Sequence, residues 1–454
     1  MAPSRSPLAV ASLVVGAGLA CWSALATVML AARGLDDAGI GLAASAGAIA
    51  FVVAIPAWSH VADTMLGRPR TLAVAGLLVA VLALGFGLPP DLPPVAAGVL
   101  YALIMAGMAP WLLLVDAITV NVTHDAAAYA RIRLLASLAF AATSIAVGFV
   151  AAATSLAAPP LLLAATSLGV AAAARRLPDA GRAVLGVGRG TPGTGTDSDA
   201  GSVAGSDSAS ASGSAPAPSS APTLSSAEAE RSARTFDRRR FDRRDLARLL
   251  GSTGEAFRIA PGLPILLLAA LLAHAGHAGQ AIFLGLRILQ LGGGPADVTL
   301  ASGSAAAVEI PCFFMWGWVA GRWGLRASFG AGALIYALVA VIWATTDSVA
   351  VTILARTVSG AGFSALAISG TLAMRSLLPR QLAATGQGMY LVTAGGIASV
   401  VAGVAGPALI GAGGYPLLFA AIAVAGAVGA GVGFAAFPGV GRPSSDAGLG
   451  VRRI

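Results

Sequence analysis

Twelve long apolar runs constrain the fold of this 454-residue chain more than any other feature of its sequence. Each run is close to the roughly 20 residues that an α-helix needs to cross the hydrocarbon core of a bilayer. Because lipid offers the backbone no hydrogen-bond partner, a single crossing must satisfy its own backbone groups, as a helix does. The runs therefore predict an all-α polytopic membrane protein, with transmembrane helices at about 9–31, 39–59, 71–88, 95–119, 132–153, 160–177, 262–286, 298–320, 328–346, 350–373, 385–411 and 416–437.

The composition narrows the possible classes of function. Hydrophobic residues make up 57% of the chain and charged residues only 11%, whereas a water-soluble domain carries about 25% charged residues. A soluble enzyme and a disordered regulator are therefore excluded. All 28 basic residues are Arg, so the Lys of a Walker A loop is missing, as is the Lys of a Schiff-base enzyme. We expect no cofactor.

The arginines also predict how the chain is oriented. The formal charge of +8 is compatible with nucleic acid, but Arg beside apolar runs is typical of cytoplasmic connections. We therefore expect no nucleic-acid partner and both termini in the cytoplasm. The Ala-, Gly- and Arg-rich usage indicates a GC-rich bacterial genome, so the expected location of these helices is the bacterial inner (cytoplasmic) membrane. The Arg-rich connections contain Arg68, Arg70, Arg131, Arg133, Arg175, Arg176, Arg322, Arg326, Arg375 and Arg380. The opposite connections contain Asp36, Asp37, Asp91, Asp297 and Asp347, with Arg33 and Arg287 as exceptions.

The long central connection differs from the rest of the chain. Residues 186–226 are almost entirely Gly, Ser, Ala, Thr, Pro and Asp, a composition that predicts a disordered linker. The basic stretch 231–258 fits either a helix lying on anionic lipid or an ordinary positive-inside connection. The predicted organisation is a six-helix bundle at 1–180, a cytoplasmic linker with a basic segment at 181–258, a second six-helix bundle at 259–438 and a cytoplasmic tail at 439–454.

A repeated pattern relates the two halves of the chain. The stretch from Ser59 to Arg70 follows predicted helix 2, and the stretch from Gly317 to Arg326 follows predicted helix 8. Both run from a helix end into a turn that contains Gly and Arg. A match at the same connection in each half indicates a duplicated six-helix unit, which is the organisation of a two-domain secondary transporter.

The pattern resembles the loop signature of the major facilitator superfamily, Gly-x-x-x-Asp-Arg-x-Gly-Arg-Lys. Asp63, Gly67 and Arg68 fit it with one extra residue between Asp63 and Gly67, and the second copy has Gly321 at the acidic position. In that superfamily the loop holds a cytoplasmic gate through a carboxylate–arginine and helix-dipole network. The resemblance therefore implies a gate formed by Asp63, Gly67, Arg68, Arg70, Gly317, Arg322, Gly324 and Arg326.

A second set of residues is similar to the phenylpropionate-type and lactose-permease-type branch of the superfamily. Asp116 lies late in predicted helix 4 and Arg133 early in predicted helix 5, where that branch places an acid and an Arg on its central cavity. His277 and Glu309 resemble positions that are polar in the phenylpropionate-type branch. The resemblance implies two pseudo-symmetric six-helix bundles that rock around a midplane site, in a protein that is usually monomeric.

Glu309 is the only Glu in any predicted span and lies about midway along predicted helix 8. A charge at the bilayer centre costs at least ~2.5–3.5 kcal/mol on insertion scales, so we expect this carboxyl group to face a cavity or a partner. Burial disfavours the charged form of a carboxyl group, which makes Glu309 a candidate proton carrier or substrate contact. A structural hydrogen bond is the alternative interpretation.

Predicted helix 7 carries His277, Gln280 and Arg287 on one stripe. The stripe fits a cavity wall that hydrogen-bonds the substrate or passes a proton. Neutral imidazoles bonded between helices are the alternative, and this alternative is favoured for His274. We expect no metal site, because helical ligand pairs are usually four residues apart and the two His residues are three apart.

Asp116 and Arg133 are expected to form an ion pair, with Tyr101 on the same face of helix 4 as Asp116. Arg133 in a cavity could receive a substrate carboxylate through two hydrogen bonds, and a permanent structural pair is the alternative. Arg356, in the outer part of predicted helix 10, is interpreted as snorkelling to the membrane surface. Because that helix contains neither His nor an acid, proton coupling would have to use ionisable groups on other helices.

The sequence as a whole predicts a secondary active transporter that works by alternating access and is coupled to protons. The expected substrate is a small organic solute, such as an organic or aromatic acid or a sugar-like molecule, and the expected partners are that solute, protons and the bilayer. Efflux of lipophilic compounds and a non-transporting membrane sensor are the alternatives. A membrane protease is disfavoured, because the predicted spans contain no His-Glu-x-x-His, Gly-x-Gly-Asp or Gly-x-Ser-Gly motif.

Overall fold

The computed structural model describes residues 6–123, 126–178 and 243–437. Within these ranges the chain is helical and contains no strand. Most of the linker predicted at 181–258 and the whole tail predicted at 439–454 lie outside the described residues. Ten helical segments are long and apolar enough to cross a membrane, and the shorter apolar helix Ala158–Ala174 adds another.

The last of these segments contains two crossings. Ala383–Ala436 is interrupted at Gly413 and Gly414, where Gly414 has a φ of 71° and the helical geometry breaks. With this segment divided, the described residues contain twelve membrane helices, which confirms the predicted all-α fold. The first six are helix 1 (Ser6–Ala32), helix 2 (Asp37–Leu66), helix 3 (Arg68–Gly87), helix 4 (Pro94–Thr123), helix 5 (Ala126–Ala153) and helix 6 (Ala158–Ala174).

The second six follow a connecting helix at Arg243–Ile259. They are helix 7 (Leu263–Gln290), helix 8 (Pro295–Trp323), helix 9 (Leu325–Thr345), helix 10 (Val349–Leu377), and helices 11 and 12 on either side of the break within Ala383–Ala436. Several helices are longer than the predicted apolar runs. Helix 2, predicted at 39–59, begins at Asp37 because Asp36 caps it by accepting a hydrogen bond from the Gly39 amide at 2.8 Å.

Each half of the chain packs its helices in the same way. Helix 3 packs on helix 6 through Gly76, and helix 9 packs on helix 12 through Gly426. Helices 2 and 4 form a pair that corresponds to helices 8 and 10. This matching arrangement is what two pseudo-symmetric six-helix bundles require. Small residues at the crossings let the backbones approach closely, which is the usual way that membrane helices associate.

The two bundles meet through pairs that the pseudo-symmetry exchanges, helix 5 with helix 8 and helix 11 with helix 2. A Cβ atom on Gly148 would overlap Thr299, and a Cβ atom on either Gly41 or Gly403 would overlap the carbonyl oxygen of the other glycine. These crossings therefore bring helix backbones into direct contact. They lie near the first residues of helices 2 and 8, so they are far from the ends of these two helices at Leu66 and Trp323.

We call the face of the molecule that carries the turns at Gly67 and Gly324 the turn face. Gly67 has φ 79° and ψ 155°, and Gly324 has φ 86° and ψ 166°. This backbone conformation is essentially restricted to glycine. The two turns therefore have the same geometry, and each one begins the following helix, helix 3 or helix 9.

Candidate functional site

A cavity of about 390 Å³ lies between the two bundles. Helices 1, 4 and 5 line it from the first bundle, and helices 7, 8 and 10 line it from the second. Of the residues that the sequence predicted for the site, Arg133, His277, Gln280 and Glu309 lie on its wall. The structure thus brings together groups that are up to 176 residues apart in the chain.

Glu309 lies midway along helix 8 and is half-buried. Ser302, two turns away on the same face, lines the cavity beside it. Within the described part of the chain, no hydrogen bond or ion pair of the Glu309 carboxyl group is found. The charged group that acts on it electrostatically is the guanidinium group of Arg356. Glu309 is therefore available to a proton or to a ligand in the cavity, whereas a carboxylate with a structural role is normally held by hydrogen bonds.

A chain of hydrogen bonds links helices 7, 9 and 10, and three of its members, His277, Gln280 and Arg356, line the cavity. The His277 Nδ1 atom lies 3.2 Å from the Tyr336 hydroxyl group and 3.3 Å from the Gln280 Nε2 atom. The Ser359 hydroxyl group lies 3.2 Å from the Gln280 Oε1 atom, and Arg356 donates to Ser359 Oγ at 2.7 Å. These hydrogen bonds connect the buried Tyr336 to Arg356 on the cavity wall, and they hold both side chains in place.

These hydrogen bonds indicate which nitrogen of His277 carries the proton. The amide nitrogen of Gln280 can only donate, so the Nδ1 atom of His277 accepts, and the neutral ring carries its proton on Nε2. The Tyr336 hydroxyl group also accepts from Gln280, at 3.4 Å, and donates to His277. The ring of His277 stacks on Phe363, with ring centroids 4.7 Å apart. His277 is therefore held as an N–H donor on the wall of the cavity.

Asp116 and Arg133 form the predicted ion pair, with Asp116 Oδ2 3.5 Å from Arg133 Nε. The Tyr129 hydroxyl group donates a hydrogen bond to Asp116. Arg133 also lies 3.4 Å from the Ser137 hydroxyl group, and both of these residues line the cavity, whereas Asp116 does not. Asp116 therefore compensates the charge of Arg133 from outside the cavity lining, and Arg133 itself lies on the cavity wall.

Tyr101 does not join this site. It is almost fully buried, packs against Trp22 with ring centroids 5.7 Å apart, and lines a separate cavity of about 270 Å³. His274 is also buried. It donates to the Ala270 carbonyl at 2.9 Å and meets Tyr390 edge-on. These contacts match the structural interpretation that the sequence favoured for His274.

The sequence analysis missed Arg356 as a residue of the site. It interpreted this arginine as snorkelling to the membrane surface, but the structure places it on the cavity wall, bonded to Ser359. Tyr336 and Phe363 were also missed. The available signal was the spacing of Arg356, Ser359 and Phe363, which follow one another at three and four residues and so share a helical face.

The gate motif of the first bundle has an unusual helix geometry. Residues Ala62–Leu66 form a π-helical turn at the end of helix 2. Such a turn accommodates one additional residue in an α-helix. It therefore absorbs the extra residue between Asp63 and Gly67 that separates this copy from the superfamily signature. Asp63 Oδ1 and Arg68 Nε lie 3.5 Å apart across the turn, with both side chains partly exposed.

The second copy of the motif has no carboxylate and makes different contacts. Arg326 donates from Nε to the Phe437 carbonyl at 3.2 Å and stacks over the ring of Phe434, which ties the start of helix 9 to the end of helix 12. Gly317 has open space around it, and Gly324 forms the turn. Arg70 and Arg322 are exposed.

Tryptophans next to the two motifs form equivalent hydrogen bonds. Trp58 Nε1 donates to the Ala106 carbonyl of helix 4 at 3.0 Å, and Trp316 Nε1 donates to the Ala361 carbonyl of helix 10 at 2.8 Å. Each tryptophan directly precedes the first position of its motif. Among the residues that the structure describes, no group of three or more His, Cys, Asp or Glu side chains could hold a metal ion.

Comparisons with known proteins support the same fold. The family model described as MFS_1 like family matches residues 8–421. A structure of the nucleoside transporter NupG has a TM-score of 0.70 and 16% identity, covering 95% of this chain and 98% of that one. A D-xylose-proton symporter has a TM-score of 0.62 and 13% identity, covering 96% and 97%. No curated protein sequence matches the chain significantly.

Twelve membrane helices in two matching bundles, around a cavity that contains a few charged and polar side chains, define a multi-pass membrane transporter rather than an enzyme. The family match covers most of the chain, so the protein belongs to the MFS_1 like family. A third structure of the same fold, a POT family transporter in complex with 5-aminolevulinic acid, has a TM-score of 0.62 and 14% identity, covering 94% of each chain. The phenylpropionate-type and lactose-permease-type branch stays a prediction.

Proposed function

We propose that the protein is a secondary active transporter that moves a small organic anion together with a proton by alternating access. The observation that carries this proposal is the presence of Glu309 and Arg356 on one cavity wall, with Glu309 free of hydrogen bonds in the described part of the chain. Family membership supports secondary transport, and the charges of the cavity support the anion and the proton.

The charges of the cavity fall into two sets. Arg133 is compensated by Asp116 at 3.5 Å, whereas the charge that opposes Arg356 is that of Glu309. When Glu309 binds a proton, the guanidinium group of Arg356 is left without a counter-charge in a cavity with a mostly apolar lining. Arg356 is half-buried, and an uncompensated cation that is partly removed from water attracts an anion. A carboxylate can then accept two parallel hydrogen bonds from the guanidinium group.

Proton and anion therefore bind together. If Glu309 stays ionised, its charge opposes that of the substrate carboxylate and competes for Arg356. If Glu309 is protonated without a substrate, Arg356 lacks a partner. The loaded and empty sites are each compensated, while the two half-loaded states are disfavoured. The proton and the anion therefore bind with positive coupling, which favours their transport together. The Nε2–H group of His277 supplies a further donor for an oxygen of the substrate.

We further propose that the turn face lies in the cytoplasm, together with both chain termini, in a bacterial inner membrane, and that the protein is monomeric. The Arg-rich connections support this orientation. The bundles contact each other in the half away from the turn face, through Gly41 with Gly403, Gly148 with Thr299, and a 2.9 Å hydrogen bond from Tyr415 to Asp37. These contacts support an inward-facing state, in which the outer side is closed.

The test uses proteoliposomes containing the purified protein and a panel of labelled organic acids, with an imposed proton gradient. We expect accumulation that follows the gradient in the wild type and is lost in Glu309→Gln, whose counterflow without a gradient should persist. Glu255→Gln is the matched control, because Glu255 is exposed on the connecting helix. Transport that ignores the gradient in the wild type, or a Glu309→Gln protein that still concentrates the acid, would contradict the coupling.

Efflux of lipophilic compounds is the second candidate. It is favoured by the separate cavity of about 270 Å³ that is lined by Trp22, Phe51 and Tyr101. The two candidates differ in the charge of the solute. An efflux protein of this kind would transport uncharged apolar compounds and would tolerate loss of Arg356. Transport by Arg356→Gln of a neutral dye, with no transport of organic acids by the wild type, would therefore support efflux.

A further inference from the structure

The second cavity has a different chemical character from the first. It has a volume of about 270 Å³ and lies between helices 1, 2, 4, 7 and 11. Its described lining contains the large side chains of Trp22, Phe51, Tyr101 and Met105, together with small and aliphatic residues, and no Arg, Asp, Glu or His. We call it the apolar cavity, and the cavity that contains Glu309 and Arg356 the charged cavity.

The two cavities adjoin each other. Ser23 of helix 1 and Ala281 of helix 7 line both of them. Both residues are exposed although they lie between the bundles, so each one borders open space. Their side chains are small. The two cavities are therefore direct neighbours, and the residues at their shared boundary have small side chains.

The backbone around this passage is irregular in both helices. Helix 1 is interrupted by a turn at residues 24–25, directly after Ser23. Helix 7 contains a π-helical segment at Gln280–Leu284, which includes Ala281. A π-helical segment shifts the direction of the side chains that follow it, and such segments occur frequently at functional sites. Here Gln280 lines the charged cavity alone, while Ala281 lines both cavities.

From these observations we infer that one substrate occupies both cavities, with its carboxylate at Arg356 in the charged cavity and an apolar alkyl or aryl body in the apolar cavity. The inference rests on the proposed function and specifies its substrate class, an amphipathic monocarboxylate. Ligand sites are typically apolar, with a few placed polar groups that fix orientation. The charged cavity fixes the head group, and the apolar cavity selects the length and width of the body.

The experiment measures the binding of linear monocarboxylates from acetate to hexanoate, by calorimetry on the full-length protein in nanodiscs at mildly acidic pH. Empty nanodiscs correct for partition of the acids into lipid. In the wild type, affinity should rise about fourfold for each added methylene group, as expected for burial of that group. Ala48→Phe places a ring in the apolar cavity, because Ala48 of helix 2 lines it. In this variant acetate should bind as before, and the gain with chain length should disappear.

Ala46→Phe is the matched control, since Ala46 lies on the same helix, is exposed and lines neither cavity. It should retain the wild-type dependence on chain length. Met105→Trp fills the same cavity from helix 4 and provides the test if Ala48→Phe does not fold. Wild-type affinity that is independent of chain length would overturn the inference while leaving anion transport intact. Failure of every acid to bind would overturn the proposed function itself.

Discussion

Arg33 and Arg287 make equivalent contacts at the ends of helices 1 and 7. Arg33 donates to the Phe86 carbonyl, in the last turn of helix 3, at 2.9 Å. Arg287 donates to the Thr346 carbonyl, directly after helix 9, at 3.0 Å. Each arginine thus binds a carbonyl group at the C-terminal end of another helix, helix 3 for Arg33 and helix 9 for Arg287, where carbonyl groups lack partners within their own helix. The pseudo-symmetry of the two bundles therefore extends to single hydrogen bonds.

This relationship predicts that Arg287→Gln lowers the thermal stability of the purified protein. Arg287 is only 6% exposed and also binds Gln290 and Asp347, so its loss leaves the half-buried Thr346 carbonyl group without this donor. Hydrogen bonds from charged groups contribute about 1.5–3 kcal/mol each. Arg131→Gln, at an exposed position of helix 5, should leave the melting temperature in detergent unchanged. Equal melting temperatures for both variants would show that the contacts of Arg287 do not stabilise the fold.

The same two arginines show how far the sequence predicted the fold. The apolar runs predicted all twelve helices, because length and hydrophobicity alone decide which segments cross a bilayer. Arg33 and Arg287 were exceptions to the predicted charge distribution. Their hydrogen bonds to the ends of helices 3 and 9 account for them, but these partners lie 53 and 59 residues away in the chain. A pattern read along the chain does not contain such tertiary contacts.

The limits of the site prediction have a related cause. Ala and Gly make most helices of this protein apolar on every face, so the sequence does not mark which face of helix 10 meets the cavity. Arg356 was therefore assigned to the membrane surface. Tyr336 was missed because helix 9 does not line the charged cavity, and the Tyr336 hydroxyl group reaches His277 from a buried position. Glu309 was found because a single acid in an apolar span requires an explanation by itself.

The glycine turns provide the second prediction. Gly67→Ala and Gly324→Ala should each destabilise the protein by about 1–3 kcal/mol, because a Cβ atom is strained at their positive φ angles. Gly317→Ala and Gly321→Ala are matched controls within the motif, since a Cβ atom on either one would meet nothing within 4 Å. In these helical positions alanine should be neutral or stabilise by about 0.5–1 kcal/mol. Thermal unfolding of the four variants, compared side by side, measures the difference.

If all four glycine variants unfolded at the same temperature, the two turns would not require glycine. If only Gly67→Ala were destabilised, the equivalence of the two turns would be contradicted. Uptake assays on the same proteins would separate a loss of stability from a loss of transport. The ion pair of Asp63 and Arg68 lies beside the first turn, and the described residues at the second turn contain no such pair.

The third prediction concerns the contact between helices 2 and 11. Gly403→Ala should separate these helices, because its Cβ atom would overlap the Gly41 carbonyl and the Ser45 hydroxyl group. The conformational equilibrium should then shift toward a state that is open on the side away from the turn face. Spin labels at Leu42 and Val404, both exposed, should move apart in distance measurements. Gly411→Ala is the control, since it meets nothing within 4 Å.

Tyr415→Phe should shift the same equilibrium less, since it removes a single hydrogen bond to Asp37 and introduces no overlap. Its effect should be about 1.5–3 kcal/mol, the usual contribution of a hydrogen bond to a charged group. Unchanged label distances in Gly403→Ala would show that the helices relax around the added methyl group, and that this contact does not control the closed outer side.

The last prediction separates the two arginines of the charged cavity. Arg356→Gln should weaken the binding of organic acids at least tenfold, because a charge-assisted hydrogen bond contributes about 1.5–3 kcal/mol. Arg322→Gln, which removes an exposed arginine at the turn face, should bind the acids as the wild type does. Arg133→Gln should reduce binding less than Arg356→Gln, since Asp116 already compensates Arg133. Calorimetry on the three variants ranks these effects, and a larger loss for Arg133→Gln would place the carboxylate site on helix 5 instead of helix 10.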